Sequence, residues 1–183
     1  MIIILDPGHG MANKRPGQFD PGVCFAGVRE CDIALDWCDE LRRQLIAAGK
    51  KVVRTRINHN DPAPVGDRAA IARHYQGDIM VSIHVNSTPG AFGTETFYRG
   101  EANRPLATAL NLAAVTALGT RNRGTKIEKQ SQHPKGLAIM SFQPCFLIEL
   151  GFIENPADRA KMLDPVLREK ACAALTAVLL AQP

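Results

Sequence analysis

The sequence has no CxxC pair, no long run of basic residues and no apolar stretch of membrane length. Each absence excludes something. Five cysteines (Cys24, Cys31, Cys38, Cys145 and Cys172) form an odd set without paired spacing, which argues against a disulfide framework and for a reducing compartment. Cys31 and Cys38 lie one heptad apart on an expected helix and read as packing residues. Basic residues come as scattered pairs, Lys14-Arg15, Arg42-Arg43 and Lys50-Lys51, so no nucleic-acid arm is expected. The net charge of +4 still leaves a basic surface that favours an anionic polymer. No run approaches the roughly 18 apolar residues of a membrane span. Met1 leads straight into a strand, with no charged segment and apolar core of a signal peptide before it. Internal repeats and low-complexity linkers are also absent, so a single domain over residues 1–183 is expected.

What is present alternates. Short apolar runs predict strands at 2–5, 50–55, 78–85, 136–141 and 145–150. The stretch GTETFYRG (93–100) alternates apolar and polar residues, which predicts a half-exposed edge strand. Ile33, Trp37, Leu41 and Leu45 recur every four residues and predict a helix over 30–48, stopped by Gly49. A short helix capped by Asp67 runs to about Tyr75, an Ala- and Leu-rich one covers 102–118, and two more cover 156–163 and 165–181. Asn155-Pro156 is an N-cap with proline at the first helical position. The order predicts an α/β fold, a mostly parallel twisted sheet of about six strands flanked by helices on both faces. The loop over 11–29 is long enough to suggest function.

In such sheets ligands bind beyond the carboxyl ends of the strands. His9 follows the first strand in DPGHG, His84 ends the third in SIHVN, Glu149 ends the last in IELGF and Glu30 opens the first helix. Two histidines and a carboxylate are a common set for catalytic zinc, and a second carboxylate can then serve as general base. Each residue also has a plainer reading. Strand-end histidines are commonly hydrogen-bonded structural residues, and a glutamate at a helix start complements its dipole. Spacing alone leaves both readings open. Glu149 resists the plainer one, because it lies inside the apolar run CFLIEL and needs a partner or a site. Gly8 and Gly10 read as turn residues around His9, and Asp6 as a turn cap or a partner orienting an imidazole.

Four blocks, LDPGHG (5–10), GVRECDIAL (27–35), DIMVSIHVNS (78–87) and FLIELGFIEN (146–155), together resemble the zinc-dependent N-acetylmuramoyl-L-alanine amidases of the amidase-3 type. Smaller matches join them at Asp20-Pro21-Gly22, VVRTR (52–56), Arg68, GTETFY (93–98) and Arg123-Gly124. The resemblance implies zinc held by His9, Glu30 and His84, with Glu149 as the catalytic carboxylate. It implies peptidoglycan as substrate, cut at the amide between the lactyl group of N-acetylmuramic acid and L-alanine. Arg123 is a candidate for binding a carboxylate or carbonyl of the stem peptide, against an ordinary surface arginine, and Asn86 for lining the groove, against simply ending its strand. His59, His74 and His133 are given no chemistry. The stretch Pro144-Cys145-Phe146-Leu147 departs from the family's usual residues but keeps size and apolarity. Residues 99–136 are expected to hold one helix and a loop, without an inhibitory insert over the site. Two other classes remain open: a related zinc peptidase, and a non-catalytic wall-binding or regulatory protein on the same scaffold. An autolysin or endolysin made in the cytoplasm and released to the wall, or the catalytic part of an exported enzyme, would both suit the chain.

Overall fold

The computed structural model describes residues 1–133 and 135–182. Its elements are β1 (Ile2–Pro7), α1 (Glu30–Ala47), β2 (Lys51–Arg54), α2 (Val65–His74), β3 (Ile79–Asn86), β4 (Thr94–Tyr98), α3 (Arg104–Leu118), β5 (Asn122–Ile127), β6 (Cys145–Phe152), α4 (Pro156–Leu163) and α5 (Pro165–Leu180). The six strands form one sheet in the order β2-β1-β3-β6-β4-β5. The first four are mutually parallel, β4 runs antiparallel to β6, and β5 runs parallel to β4. The expected α/β architecture with a mostly parallel sheet is the one observed.

Side chains alternate between the two faces of each strand, and here the faces differ. Ile3, Leu5, Val81, Ile83, Phe146 and Ile148 point into the larger core, under α1, α3 and α5. Ile4, Met80, Phe97, Cys145 and Leu147 point the other way, under α2 and a short 3-10 turn at Ala138–Ser141. Both faces are covered, but the second only at one end. The same period of two puts Asp6, Ser82, His84, Glu149 and Glu95 on that second face, beyond its apolar patch. Thin cover there leaves a groove of about 710 Å³.

Several expectations change. Residues 136–141 are not a strand: Gly136 has φ +92, and Ile139 and Met140 turn inward to cover the thin face instead of joining a ladder. The strand at Thr94–Tyr98 is neither half-exposed nor at an edge, since it is buried throughout between β6 and β5. Its alternation misleads because its polar members have internal partners; Thr94 Oγ1 donates to Leu150 O at 2.7 Å, and Thr96 Oγ1 to Asn111 Oδ1 at 3.1 Å. The edge is β5, whose polar sequence NRGTKI reads as loop; Pro134, further along that stretch, lies outside the described residues. Asp67 does not cap α2, which begins two residues earlier at Val65. Asn155 does cap α4, accepting from Ala157 N and Asp158 N at 3.0 Å each. The loop over 11–29 is organised by two short hairpin-like pairings, Gly10–Met11 with Phe19–Asp20 and Cys24–Phe25 with Val28–Arg29. All five cysteines are free, and Cys31 and Cys38 are buried as packing residues.

Candidate active site

Glu30, His9 and His84 meet at one point. Glu30 opens α1 and is only 2% exposed. Its Oε1 accepts from Val85 N at 3.0 Å and faces His84 Nδ1 at 2.9 Å. Its Oε2 accepts from Val23 N at 3.0 Å and faces His9 Nε2 at 3.0 Å. One donor atom from each of the three residues lies within 4.8 Å of the others. Burial would raise the Glu30 pKa, but the two imidazoles outweigh it and hold the carboxyl well below its usual range. The carboxylate is therefore ionised. A charged oxygen between two imidazole nitrogens is the donor set of a cation site.

The other nitrogen of His9 is held as well. Nδ1 meets Asp20 Oδ2 at 3.0 Å, and that oxygen also accepts from Asn13 Nδ2 at 2.7 Å, while Gly22 N donates to Oδ1 at 3.1 Å. Asp20 thus fixes the ring so that Nε2 faces Glu30, the usual role of a carboxylate behind a ligating histidine. Burial disfavours the imidazolium, yet Glu30 and Asp20 together raise the His9 pKa. The orienting role that the sequence suggested for Asp6 belongs to Asp20; the only sign of it was the small DPG match.

Asp6 does different work. Completely buried, it accepts from Arg68 Nη1 at 2.8 Å, Thr55 Oγ1 at 2.5 Å and Ser82 Oγ at 2.6 Å. Arg68 also donates to Pro7 O, His9 O, Asn13 Oδ1 and Ala63 O, at 2.6 to 3.1 Å. Arg56 donates to Pro7 O at 3.1 Å and to Gly8 O and Cys31 O at 2.9 Å each. Two buried guanidiniums therefore clamp the carbonyls of the DPGHG turn, where His9 itself adopts a left-handed φ of 59. Gly8 is needed for space rather than for the turn: a Cβ there would stand 2.5 Å from the His84 ring.

On the same sheet face, Glu149 lies in register with His84 on β3 and with Glu95 on β4. Its Oε2 is buried and has no hydrogen-bond partner among the described residues. Burial first, then the nearby Glu30 and Glu95 carboxyls, raise its pKa well above the usual range, with Lys126 opposing. Glu95, 3% exposed, is a site residue that sequence reading missed, hidden in a strand taken as half-exposed. Its Oε1 accepts from Asn86 Nδ2 at 3.1 Å, and its Oε2 from Arg123 Nε at 2.6 Å and Lys126 Nζ at 2.5 Å. Arg123 and Asn86 both line the groove, as does His133. The segment 99–136 holds β5 and two 3-10 turns besides its helix.

A second cluster, Cys31, Asp32 and His59, also brings three donor atoms together. It suits a metal poorly. Arg29 already occupies Asp32 with two bonds at 2.7 and 2.9 Å, and burial with Asp32 pushes the Cys31 thiol up to about 12.

The profile of the family described as N-acetylmuramoyl-L-alanine amidase matches residues 3–180. The Bacillus subtilis protein YqiI, itself uncharacterized, is 34% identical over 94% of the chain and 80% of its own length. The N-acetylmuramoyl-L-alanine amidase LytC of the same species is 29% identical over 94% of the chain, which spans only 34% of that longer protein. The crystal structure of an N-acetylmuramoyl-L-alanine amidase from Clostridium difficile 630 superposes with a TM-score of 0.84 at 25% identity, covering 98% of this chain and 95% of that one. The chain belongs to the N-acetylmuramoyl-L-alanine amidase family, a family of zinc-dependent hydrolases.

Proposed function

We propose that this chain, as one catalytic domain, binds a single zinc ion through His9 Nε2, Glu30 and His84 Nδ1. We further propose that it hydrolyses the amide between N-acetylmuramic acid and the L-alanine of the stem peptide, in wall degradation or lysis. The observation that carries the reading is a pairing: three ion donors converge on one point, and on the strand beside His84 stands a carboxyl with a buried, unpartnered oxygen. The donors fit the metal, since two imidazoles and an ionised carboxylate leave a fourth position for water in a tetrahedral site. When bound, zinc acidifies water and polarises the scissile carbonyl. Glu149 takes the proton of the attacking water and passes it to the departing amine of L-alanine. A raised pKa suits both acts, because the proton must be held between them. Asp20 keeps the His9 ring in place, and the Arg68 and Arg56 clamps keep its backbone there. Arg123 and Asn86, which line the groove, contact the stem peptide. Among the described residues no helix is long and apolar enough to cross a membrane, and the enzyme reaches its polymer in the wall.

The test is direct. Glu149→Ala should retain about one zinc per chain by elemental analysis and lose cleavage of peptidoglycan by about 10²- to 10⁴-fold. His9→Ala should lose the metal. Mass spectrometry of wild-type digests should find stem peptides with a free L-alanine amino group and intact glycan strands. Peptides cut internally, still attached to sugar, would make the chain a peptidase instead, and wild-type turnover by Glu149→Ala would remove the assigned base.

A further inference from the structure

We propose that Lys126 and Arg123 form an anion subsite that selects stem peptides carrying a free carboxylate on the residue after L-alanine. The proposal rests on the amidase reading above.

The argument begins with a charge imbalance. Two cations share one carboxylate oxygen: Arg123 Nε and Lys126 Nζ lie 2.6 and 2.5 Å from Glu95 Oε2. No other carboxylate among the described residues forms an ion pair with either. Glu95 is the one carboxylate bonded to these two cations, so that three-residue cluster keeps a surplus positive charge, which the Glu149 carboxyl one strand away offsets only when it is ionised. The cations are neither buried nor free in solvent. Their side chains are 25% and 29% exposed, and both line the groove. Partial burial reduces screening there.

The cations are also held in place. Glu95, the anchor of both, is buried and braced by Asn86 on its other oxygen. The Arg123 guanidinium stacks 4.7 Å above the Phe152 ring, and the Lys126 ammonium lies 5.9 Å from the centre of Phe97. Fixed charges bind an anion with less loss of side-chain freedom than mobile surface lysines. A plain structural ion pair would need one cation, not two.

Position then identifies the part of the substrate. Glu95 is the direct cross-strand neighbour of Glu149, and the cations stand on β5, two strands from β6. Strands are spaced about 4.8 Å apart, so the cations lie roughly 5–10 Å from the proton-transfer group. An extended peptide covers about 3.3–3.6 Å per residue. Two residues beyond the scissile bond therefore reach this wall, and a carboxylate on the second one meets the surplus charge. A carboxamide at the same place fits the shape but not the charge.

The experiment uses two synthetic N-acetylmuramoyl-L-alanyl peptides. They are identical except that the residue after L-alanine bears a free carboxylate in one and a carboxamide in the other, and both have a blocked C-terminus. For the zinc-loaded wild type, kcat/KM should favour the carboxylate about tenfold at low salt, and the preference should shrink as ionic strength rises. In Lys126→Met the ratio should fall toward one, and Lys126→Arg should restore it. Calorimetric Kd values for the same two peptides on the Glu149→Ala protein should show the same ratio without turnover. Equal cleavage of both peptides by the wild type would overturn the subsite and leave the amidase reading intact. An undiminished ratio in both Lys126→Met and Arg123→Met would do the same. Cleavage of neither peptide, nor of peptidoglycan, would bring down the amidase reading and the subsite with it.

Discussion

The two walls of the groove are built on opposite terms. On the His9 wall the buried polar groups are matched: Asp6 accepts three hydrogen bonds, and Arg68 and Arg56 spend their donors on turn carbonyls. On the Glu149 wall a buried carboxyl oxygen has no partner and faces a second carboxylate. Matched buried networks fix geometry, whereas unmatched ones cost stability and persist where chemistry needs a shifted pKa. On the proposed reading, the first wall would hold the metal-binding point rigid and the second would keep the proton acceptor poised.

Arg68→Ala attacks the first wall at its centre and should have the largest effect. It leaves the Asp6 carboxylate buried without its charge partner and frees the carbonyls of Pro7 and His9. Breaking such a pair costs about 3–5 kcal/mol, to be read from urea or thermal melts. Lys126→Met, on the other wall, should cost less than about 1 kcal/mol, because its ion pair is partly exposed. Similar losses for the two would erase the contrast. Asp20→Ala should come next. With nothing holding Nδ1, the His9 ring loses its fixed orientation, and zinc affinity should fall about 10- to 100-fold in competition with a chelating dye. Its melting temperature should change far less than that of Arg68→Ala, since Asp20 is only partly buried, next to the exposed Lys14, whereas Asp6 and Arg68 are fully enclosed. Unchanged affinity would mean that the turn clamps alone aim the ring.

The same contrast explains what could be read from the sequence. β1, β3 and β6 are near-continuous apolar runs, so they announce themselves as buried parallel strands, and the residues that interrupt them, His84 and Glu149, stand out. His9 and Glu30 follow from their places beside strand and helix ends. The partners behind them were harder to see. Asp20 sits in a loop with no periodicity, and its contact with His9 depends on how 11–29 folds back. Glu95 and β5 were missed for a different reason. The polarity of Glu95 imitates solvent exposure but is satisfied inside the protein by Asn86, Arg123 and Lys126, whereas β5 is polar because it is a partly exposed edge. Gly8 looked like a turn residue and proved to be a clearance for His84, a fact that exists only once two strands lie side by side.

Titration gives the most specific comparison, because the two walls should respond to pH with opposite signs. Burial would raise the pKa of Asp6, but Arg68, Ser82 and Thr55 outweigh it and hold it below its ordinary value. Its contribution to stability is present above the unfolded pKa near about 3.9 and is lost as pH falls through the folded value. Glu149 is raised instead, by burial and by the neighbouring carboxyls. Its protonated form favours the fold below the unfolded pKa of about 4.3, and that contribution is lost as pH rises through the folded value. Glu149→Gln keeps the shape and removes this titration. In urea melts with chelator present, the variant should match the wild type near pH 4 and exceed it at pH 8 by about 1 kcal/mol, the scale of one unsatisfied buried polar group. Asp6→Asn should differ from the wild type in the reverse sense, with its deficit largest at neutral pH and shrinking in acid. Parallel profiles for wild type and Glu149→Gln across pH 4–9 would mean that the Glu149 carboxyl is as well partnered as Asp6, and the second wall would then be as settled as the first.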